Sequence, residues 1–586
     1  MCGIIGCVSD SDVLEILLDG LTNMEYRGYD SVGVGVHDGK TIKVIKVVGR
    51  VAELAKNPDL KSTSGKIGLA HTRWATHGGV TPENAHPHLS CDRSIAVVHN
   101  GIIENYQLLK NELELKGHIF RSTTDTEIIP HLIEEELKTG RNQRDALLAA
   151  VNKLKGSYAF LVLFRDLNDR LYGVRKDAPL IIGLGGNKNF VASDVLSFLK
   201  HTKEAIFLDN FEVAEVRRNS YTIWNFNGEE VLHTISTLAW EATSFQKKEF
   251  THYTLKEIHE QRESIFKAFN QDINEVDRFC LSLQGVNRVY IIGAGTSYHA
   301  ALIAKHLFIK MAKLPAEVIL ASEFEDYIPL VDEDTLLLAI SQSGETADVL
   351  SAINVGKRKG ASVLSIVNTP TSSLARESDY TLYLKCGPEV GVAATKSFTA
   401  QLAVIYSIAF RLSNTAADLQ RLSKAVNRVF DVERQLAYLA QVFLTAKDCY
   451  FIGRGLNYPI ALEGALKLKE LSYIHAEGFA AGELKHGTLA LISEGVPVVA
   501  LNPNDKTYHD TLSNVAELKA RGAKVIGVSD VANPLYDYYV EIPSVESIFY
   551  PIVEVIPLQM FAYYSALERG QNPDYPRNLA KSVTVK

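Results

Sequence analysis

The sequence predicts a multidomain chain of mixed α/β and α+β class, with an αββα sandwich first and two tandem doubly wound domains after it. Three observations carry this. Residues 1–240 alternate short β-branched runs with turn signals and amphipathic helical stretches. The second half repeats a strand, a Gly-rich turn and a helix, the pattern of βαβ units in a parallel sheet. A length of 586 residues is enough for roughly three to four ordinary domains.

In the first block, Val32–His37, Thr41–Val48, Ile67–Ala70, Ser94–Val98 and Ala159–Phe164 read as strands, and Val13–Thr22 and Thr126–Lys138 as helices. Strand runs with helices beside them suggest two antiparallel sheets between helical layers. Residues 241–275 are more charged and helical in pattern, a linker and leading helix. In the second half, Val289–Tyr298 (VYIIGAGTSY) matches Cys449–Tyr458 (CYFIGRGLNY), giving doubly wound domains over 276–420 and 440–576 and a tail over 577–586.

Composition narrows the function classes. With 46% apolar and 22% charged residues and a net charge of −8, the chain reads as soluble and globular. Its basic residues do not cluster, so no nucleic-acid footprint is expected, and an anionic small molecule needs a local cradle. Six sparse cysteines without a CxxC pair fit a reducing compartment without structural zinc. The start lacks a basic and then apolar leader, so a cytoplasmic location is expected. The most apolar stretch, Phe398–Phe410, is too short and polar to span a bilayer.

Chemistry starts at Cys2. Removal of Met1 would leave this residue with both a thiol and an α-amine. The amine titrates near ~7.7–8.0 and the thiol near ~8.5, so the amine can take the thiol's proton. Four polar clusters follow: Tyr26–Ser31, His71–Gly78, Asn84–His88 and His99–Asn105. They show no H-x₃-H spacing on a predicted helix, so no metal is expected. Their residues suit an amide substrate carrying an amino-acid head. Arg73 and Asp125 would pair with its carboxylate and ammonium. Asn100 and the Gly101 N–H would form an oxyanion hole.

Cys2-Gly3-Ile4, YRGYDS, HTRWATHG, NAHPH and HNGIIEN together resemble the class II glutamine amidotransferase domain. More narrowly they resemble the glutamine–fructose-6-phosphate aminotransferase (isomerising) family, the glucosamine-6-phosphate synthases. The resemblance implies that Cys2 attacks the glutamine amide and that Asn100 and Gly101 hold the oxyanion. It also implies that Arg73, Thr76, His77, His86 and Asp125 hold glutamine, with Trp74 gating an ammonia passage.

In the second half, the Gly-x-Gly turns do not form a dinucleotide fingerprint, because Tyr298 and Tyr458 replace the third glycine. Ser341-Gln342-Ser343-Gly344-Glu345-Thr346 follows the apolar strand Thr335–Ile340. Hydroxyls and N–H groups there make a phosphate cradle, with Thr296 and Ser297 at the neighbouring strand end. The equivalent loop of the second copy, Asn502–Asp505, lacks hydroxyls and carries an acid, so only the first copy should bind phosphate. Over Ile460–Tyr473, Glu463, Lys467 and Glu470 fall on one helix face. The tail is apolar enough to dock and place Lys581 at the sugar.

These features look like tandem sugar isomerase (SIS) domains, and with the first block the resemblance covers essentially the whole chain. It implies a Schiff base between Lys581 and an open-chain ketose. Glu470 would move the C1–C2 proton, His486 assist ring opening, and Lys467 support the enolamine. Val392 and Ala580 join the sugar-phosphate site in the same way. Thr488 stands where the family usually has proline, which bears on loop stiffness. The implied substrates are L-glutamine and D-fructose 6-phosphate. No cofactor, nucleic acid or membrane is implied, and a homodimer through the SIS domains is expected because the family's His486 crosses between subunits. The alternatives are an amidotransferase with another phosphosugar acceptor and a sugar-phosphate-sensing SIS regulator.

Overall fold

A computed structural model describes residues 2–75, 77–238 and 246–584. The chain divides into two compact units: Met1–Ser244 with Ser582–Lys586, and Phe245–Lys581.

Among the described residues, the first unit has an eight-stranded antiparallel sheet. Its order is Ser236–Thr237, Glu204–Phe207, Ile181–Leu184, Lys188–Ala192, Gly3–Ser9, Ile67–Arg73, Ser31–His37 and Ile42–Val48. A six-stranded antiparallel sheet runs Tyr221–Asn225, Glu212–Arg217, Arg170–Lys176, Gly156–Phe164, Ile95–Ile103 and His88–Leu89. The two-residue period of a strand decides what each face covers. Ala96, Val98, Ala159, Leu161 and Leu163 point into the layer shared with Ile4, Val8, Leu69 and Val191 of the larger sheet. Their alternates Ile95, Val97, Tyr158, Phe160 and Val162 pack against Ile129, Leu132 and Ile133 of the helix Ile128–Leu137. Helix Leu14–Asn23 covers the other sheet, and Gly68 lets its Leu17 approach: a Cβ there would lie 2.7 Å from Leu17 Cδ1. The expected αββα sandwich is therefore what the alternation builds.

The second unit holds two parallel five-stranded sheets among the described residues. The first is ordered Glu317–Leu320, Arg288–Gly293, Thr335–Ser341, Ser362–Val367 and Tyr380–Tyr383. The second is ordered His475–Ala480, Asp448–Gly453, Pro497–Leu501, Lys524–Ser529 and Tyr538–Glu541. Both orders reverse after the first strand of the repeat, which creates a crevice at the strands' carboxyl ends. One apolar core serves both sheets, running from Leu336 and Leu338 through Phe398 and Tyr406 to Phe451, Ile552 and Phe561. Two helices lead in, Tyr253–Phe269 and Ile273–Gln284. Arg262 sits mid-helix with its guanidinium 4.0 Å from the Phe430 ring centroid. No helix among the described residues is long and apolar enough to cross a membrane.

Candidate active sites

In the first unit, Cys2 precedes the Gly3–Ser9 strand, whose register pairs Gly3 with Thr72. Gly3 allows this approach, since a Cβ would lie 2.8 Å from Thr72 Oγ1, and its N–H donates to that hydroxyl at 3.2 Å. Trp74 N–H donates to Cys2 Sγ at 3.2 Å. Burial raises the thiol, while the Trp74 N–H and the Arg73 guanidinium pull it back. Asn100 sits in the Ile95–Ile103 strand and its Nδ2 donates to Cys2 O at 3.0 Å, which brings this amide to the backbone of Cys2. Gly101 has φ 122°, and a Cβ there would lie 2.1 Å from Ser157 O, so only glycine fits beside Asn100.

The loop after Arg73 is tied from within. The buried Arg73 guanidinium donates to the carbonyls of His77, Gly78 (3.2 Å) and Gly79 (3.1 Å). Asp30 Oδ2 accepts from Ala75 N at 2.9 Å. Trp74 meets Tyr29 edge-on with centroids 5.6 Å apart, and His77 lies 5.6 Å from the Tyr106 ring. Asp125 is buried, and its Oδ2 accepts from Ile103 N at 2.8 Å. Thr76 lies outside the described residues.

The histidines form a framework. His71 stacks on His86 at 4.0 Å. His86 Nδ1 accepts from His99 N at 3.1 Å, and His99 Nδ1 meets Thr126 Oγ1 at 2.9 Å. Burial lowers His99, takes His71 down to about 3 and puts His86 well below its usual range. Neutral imidazoles hold the strands here.

In the second unit the tail docks. Arg577 N donates to Tyr473 Oη at 2.6 Å and its guanidinium covers that ring at 4.2 Å. Tyr473 ends helix Asn457–Ser472 in a left-handed conformation, φ 61°. Lys581 Nζ then donates to Glu389 Oε2 at 2.5 Å, with 5% and 0% of the two side chains exposed. Glu389 also accepts from Thr395 N and Ser397 N, both at 3.0 Å, and from Ser397 Oγ at 2.7 Å. Burial pushes this carboxyl up, yet Lys581 and these donors win and hold it at about 2. Behind the loop, Glu257 accepts from Val390 N at 2.5 Å and Gly391 N at 3.1 Å, and burial raises it to about 7.

Lys467, Glu463 and Glu470 share one face of helix Asn457–Ser472 as their spacing predicts. Lys467 Nζ lies 2.6 Å from Glu470 Oε2 and 3.4 Å from Glu463 Oε1. Although burial opposes it, the two carboxylates raise the ammonium above its ordinary value. The solvated-stripe alternative does not hold, because Lys467 is 1% exposed. Lys467 also donates to Thr296 Oγ1 at 3.1 Å, and that hydroxyl donates to Glu463 Oε1 at 3.1 Å. His299 Nδ1 faces Glu463 Oε2 at 2.7 Å. The second copy's charged face thus meets the first copy's helix Thr296–Leu307.

The hydroxyl loop is bonded within itself. Gly344 N donates to Ser341 Oγ (3.0 Å) and Glu345 N to Ser343 Oγ (3.2 Å), while Ser341 and Thr346 hydroxyls lie 3.4 Å apart. Thr346 does not cap helix Ala347–Arg358 with its side chain, so the first-turn N–H groups keep their positive field. Gln342 and Ser343 are half-buried. Ser297 Oγ accepts from Gln401 Nε2 at 2.9 Å. Val392 N donates to Asp574 O at 3.3 Å, and Ala580 is half-buried beside Lys581. In the second copy, Asp505 Oδ1 takes Thr507 N and Oγ1 at 2.7 and 2.6 Å, which leaves an acid where the first copy has hydroxyls. His486 ends the turn Ala481–His486, exposed and without a hydrogen bond among the described residues. It makes no hydrogen bond or ion pair with Lys581.

Sequence reasoning missed Glu389 and Glu257. The segment Gly387-Pro388-Glu389-Val390-Gly391 gives a turn signal but nothing that singles out an acid. Only docking of a tail 192 positions away reveals its partner.

Comparisons with known proteins agree with this layout. A glutamine amidotransferase domain model matches residues 71–200, and a SIS domain model matches 282–411 and 443–569. The chain is 45% identical over 602 residues to a glutamine–fructose-6-phosphate aminotransferase (isomerizing) of Thermococcus kodakarensis, covering 100% of both chains. It is 45% identical over 596 residues to the Aquifex aeolicus protein of the same name, again over 100% of both. Among solved structures, the C-terminal domain of glucosamine-fructose-6-phosphate aminotransferase from Francisella tularensis is 36% identical. It matches with a TM-score of 0.51, covering 56% of this chain and 99% of that one. With two such relatives aligned end to end over paired SIS domains and a glutamine amidotransferase domain, this chain belongs to the glutamine–fructose-6-phosphate aminotransferase (isomerizing) family.

Proposed function

We propose that this chain converts D-fructose 6-phosphate and L-glutamine to D-glucosamine 6-phosphate and L-glutamate, with hydrolysis in the first unit and isomerisation in the second. The observation that carries the reading is a buried amine meeting a buried acid where a tail docks on a doubly wound pair (Lys581 on Glu389, 2.5 Å), in a chain that also places Cys2 beside an amide donor. A sensor has no use for either.

At the first centre, the Cys2 thiolate adds to the glutamine amide carbon. Its proton passes to the α-amine that loss of Met1 would free, and then to departing ammonia; water then cleaves the glutamyl thioester, releasing glutamate and restoring the thiol. Asn100 Nδ2 and Gly101 N–H face the developing oxyanion. Arg73, Thr76, His77, His86 and Asp125 orient the amino-acid head, and Trp74 gates ammonia release. Water must be kept from that ammonia, since protonation would destroy its nucleophilicity.

At the second centre, Ser341, Gln342, Ser343 and Thr346, with Thr296, Ser297, Val392 and Ala580, hold the phosphosugar. Lys581 condenses with the open ketose at C2, losing water. Ammonia from the first centre then displaces the lysine amine to leave the C2 imine, and Glu470 carries the proton from C1 to C2 to give the 2-amino aldose. Glu389 positions the amine and must yield it when substrate arrives. Lys467 stabilises the negative charge that builds on the enolamine. His486, free and exposed, assists ring opening from a partner subunit, so the working form is a homodimer through the SIS domains. The glutaminase domain spans 1–240, a linker and leading helix 241–275, the SIS domains 276–420 and 440–576, and the tail 577–586. Cytoplasmic sugar phosphates are the natural supply.

The test is formation of amino sugar from glutamine and fructose 6-phosphate, with ribose phosphates as controls. Product from the hexose alone supports the reading. Glutamate release with no amino sugar from any of them would overturn it.

A further inference from the structure

Away from both centres, four side chains of the first unit converge from three different elements. Cys91 follows the His88–Leu89 strand, His118 follows helix Tyr106–Leu115, and His131 and Glu134 lie one turn apart on helix Ile128–Leu137. Cys91 Sγ is 3.7 Å from His118 Nδ1 and 3.5 Å from His131 Nδ1. Glu134 Oε2 is 3.1 Å from His118 Nδ1 and 3.5 Å from His131 Nδ1. All four donor atoms lie within 4.8 Å of one another.

A tetrahedron with bonds of about 2.0–2.3 Å to N, O and S has edges of about 3.3–3.6 Å, close to these separations. The far sides of both rings are oriented by carboxylates. His118 Nε2 meets Glu135 Oε2 at 3.1 Å, and His131 Nε2 faces Glu127 Oε1 at 3.6 Å. Carboxylates behind ligating imidazoles are the usual outer support of a metal. Ile119 N–H donates to Cys91 Sγ at 3.4 Å, and Cys91 N–H donates to Glu134 Oε2 at 3.3 Å, so the backbone fixes the sulfur and the carboxylate together. Both rings are 1% exposed.

We propose that Cys91, His118, His131 and Glu134 form a closed structural site for a divalent, thiolate-accepting metal ion, zinc above all. A thiolate, a carboxylate and two neutral imidazoles neutralise the ion's two charges, and four protein ligands leave no place for substrate. The ion ties the turn after His88 and the loop around His118 to the helix that follows Asp125. It is therefore a staple for the wall of the glutaminase pocket and takes no part in its chemistry. The sequence predicts no metal because these ligands span 44 positions and follow no spacing rule.

The experiment measures metal in the full chain purified from zinc-supplemented cells, for wild type, Cys91→Ser and Cys2→Ala, and then titrates the metal-stripped proteins with cobalt(II). Wild type and Cys2→Ala should hold about one zinc per chain and give a thiolate-to-cobalt charge-transfer band, and Cys91→Ser should give neither. Chelator should lower the Tm of wild type and leave that of Cys91→Ser unmoved. Wild type with less than about a tenth of an equivalent and no band on cobalt addition would overturn the proposal. So would a band lost in Cys2→Ala and kept in Cys91→Ser, which would put the ion on the nucleophile.

Discussion

Replacing Glu389 with glutamine removes the charge that holds Lys581. The structure sets the size of the effect. The pair is buried, with 0% and 5% of the side chains exposed, and breaking such a pair by deleting one charge costs about 3–5 kcal/mol. Part of the site survives, because the glutamine carbonyl still accepts from Thr395 N and Ser397 N. Its NH₂ can then donate to the Ser397 hydroxyl oxygen, but it meets the Lys581 ammonium donor against donor, and that contact is repulsive. The loss therefore falls on tail docking, and about 3 kcal/mol shifts that equilibrium by about two orders of magnitude. Amino-sugar formation should fall by up to about 100-fold. Glutamine hydrolysis without sugar should be unchanged, and Glu389→Asp should recover part of the activity. Coupled assays for glutamate and amino sugar on the same preparations separate the two readouts. Amino-sugar formation by Glu389→Gln within about threefold of wild type would refute the claim that this carboxylate positions the amine.

Further expectations follow from the same geometry. Cys2→Ala should abolish glutamate release while hexose phosphate isomerisation survives, and Lys581→Ala should do the reverse; loss of both in either variant would undo the division of labour. Asn100→Ala removes the donor beside Cys2 and should cost about 10²–10³ in glutamine kcat with little change in KM; an unchanged kcat would free Asn100 of that role. Glu257, raised to about 7 by burial, is favoured protonated in the fold. Its contribution is fully present below its unfolded value near 4.5 and is lost as pH rises through about 7, up to about 3 kcal/mol. Glu389, held at about 2, works the other way and loses its contribution only as pH falls through that value. Between pH about 5 and 8, Glu257→Gln should therefore flatten the fall in urea stability of the second unit; an identical slope in the variant would contradict the assignment.

Much of this architecture is legible in the sequence because strand periodicity and burial are local. Ser94–Val98 and Ala159–Phe164 announce themselves as short apolar runs bounded by turn signals, and the strands run over Ile95–Ile103 and Gly156–Phe164. The i, i+4, i+7 spacing of Glu463, Lys467 and Glu470 gives their common face. It does not give what that face meets, which is Thr296 and His299 of the other copy. Asn100-Gly101 is legible as a turn or an oxyanion pair, and only the register against Tyr158 and Ala159 shows that glycine is obligatory there. Glu389 and the Cys91 cluster are illegible for one reason: their partners come together through tertiary docking across many positions, and no periodicity encodes that.

On the proposed function, nitrogen freed in one unit is the nitrogen received in the other. Turnover with [amide-¹⁵N]glutamine and fructose 6-phosphate in excess unlabelled ammonium, read by mass spectrometry of the amino sugar, tests it most directly. ¹⁵N-labelled glucosamine 6-phosphate should form in step with glutamate. Unlabelled product, or glutamate with no amino sugar at all, would contradict it.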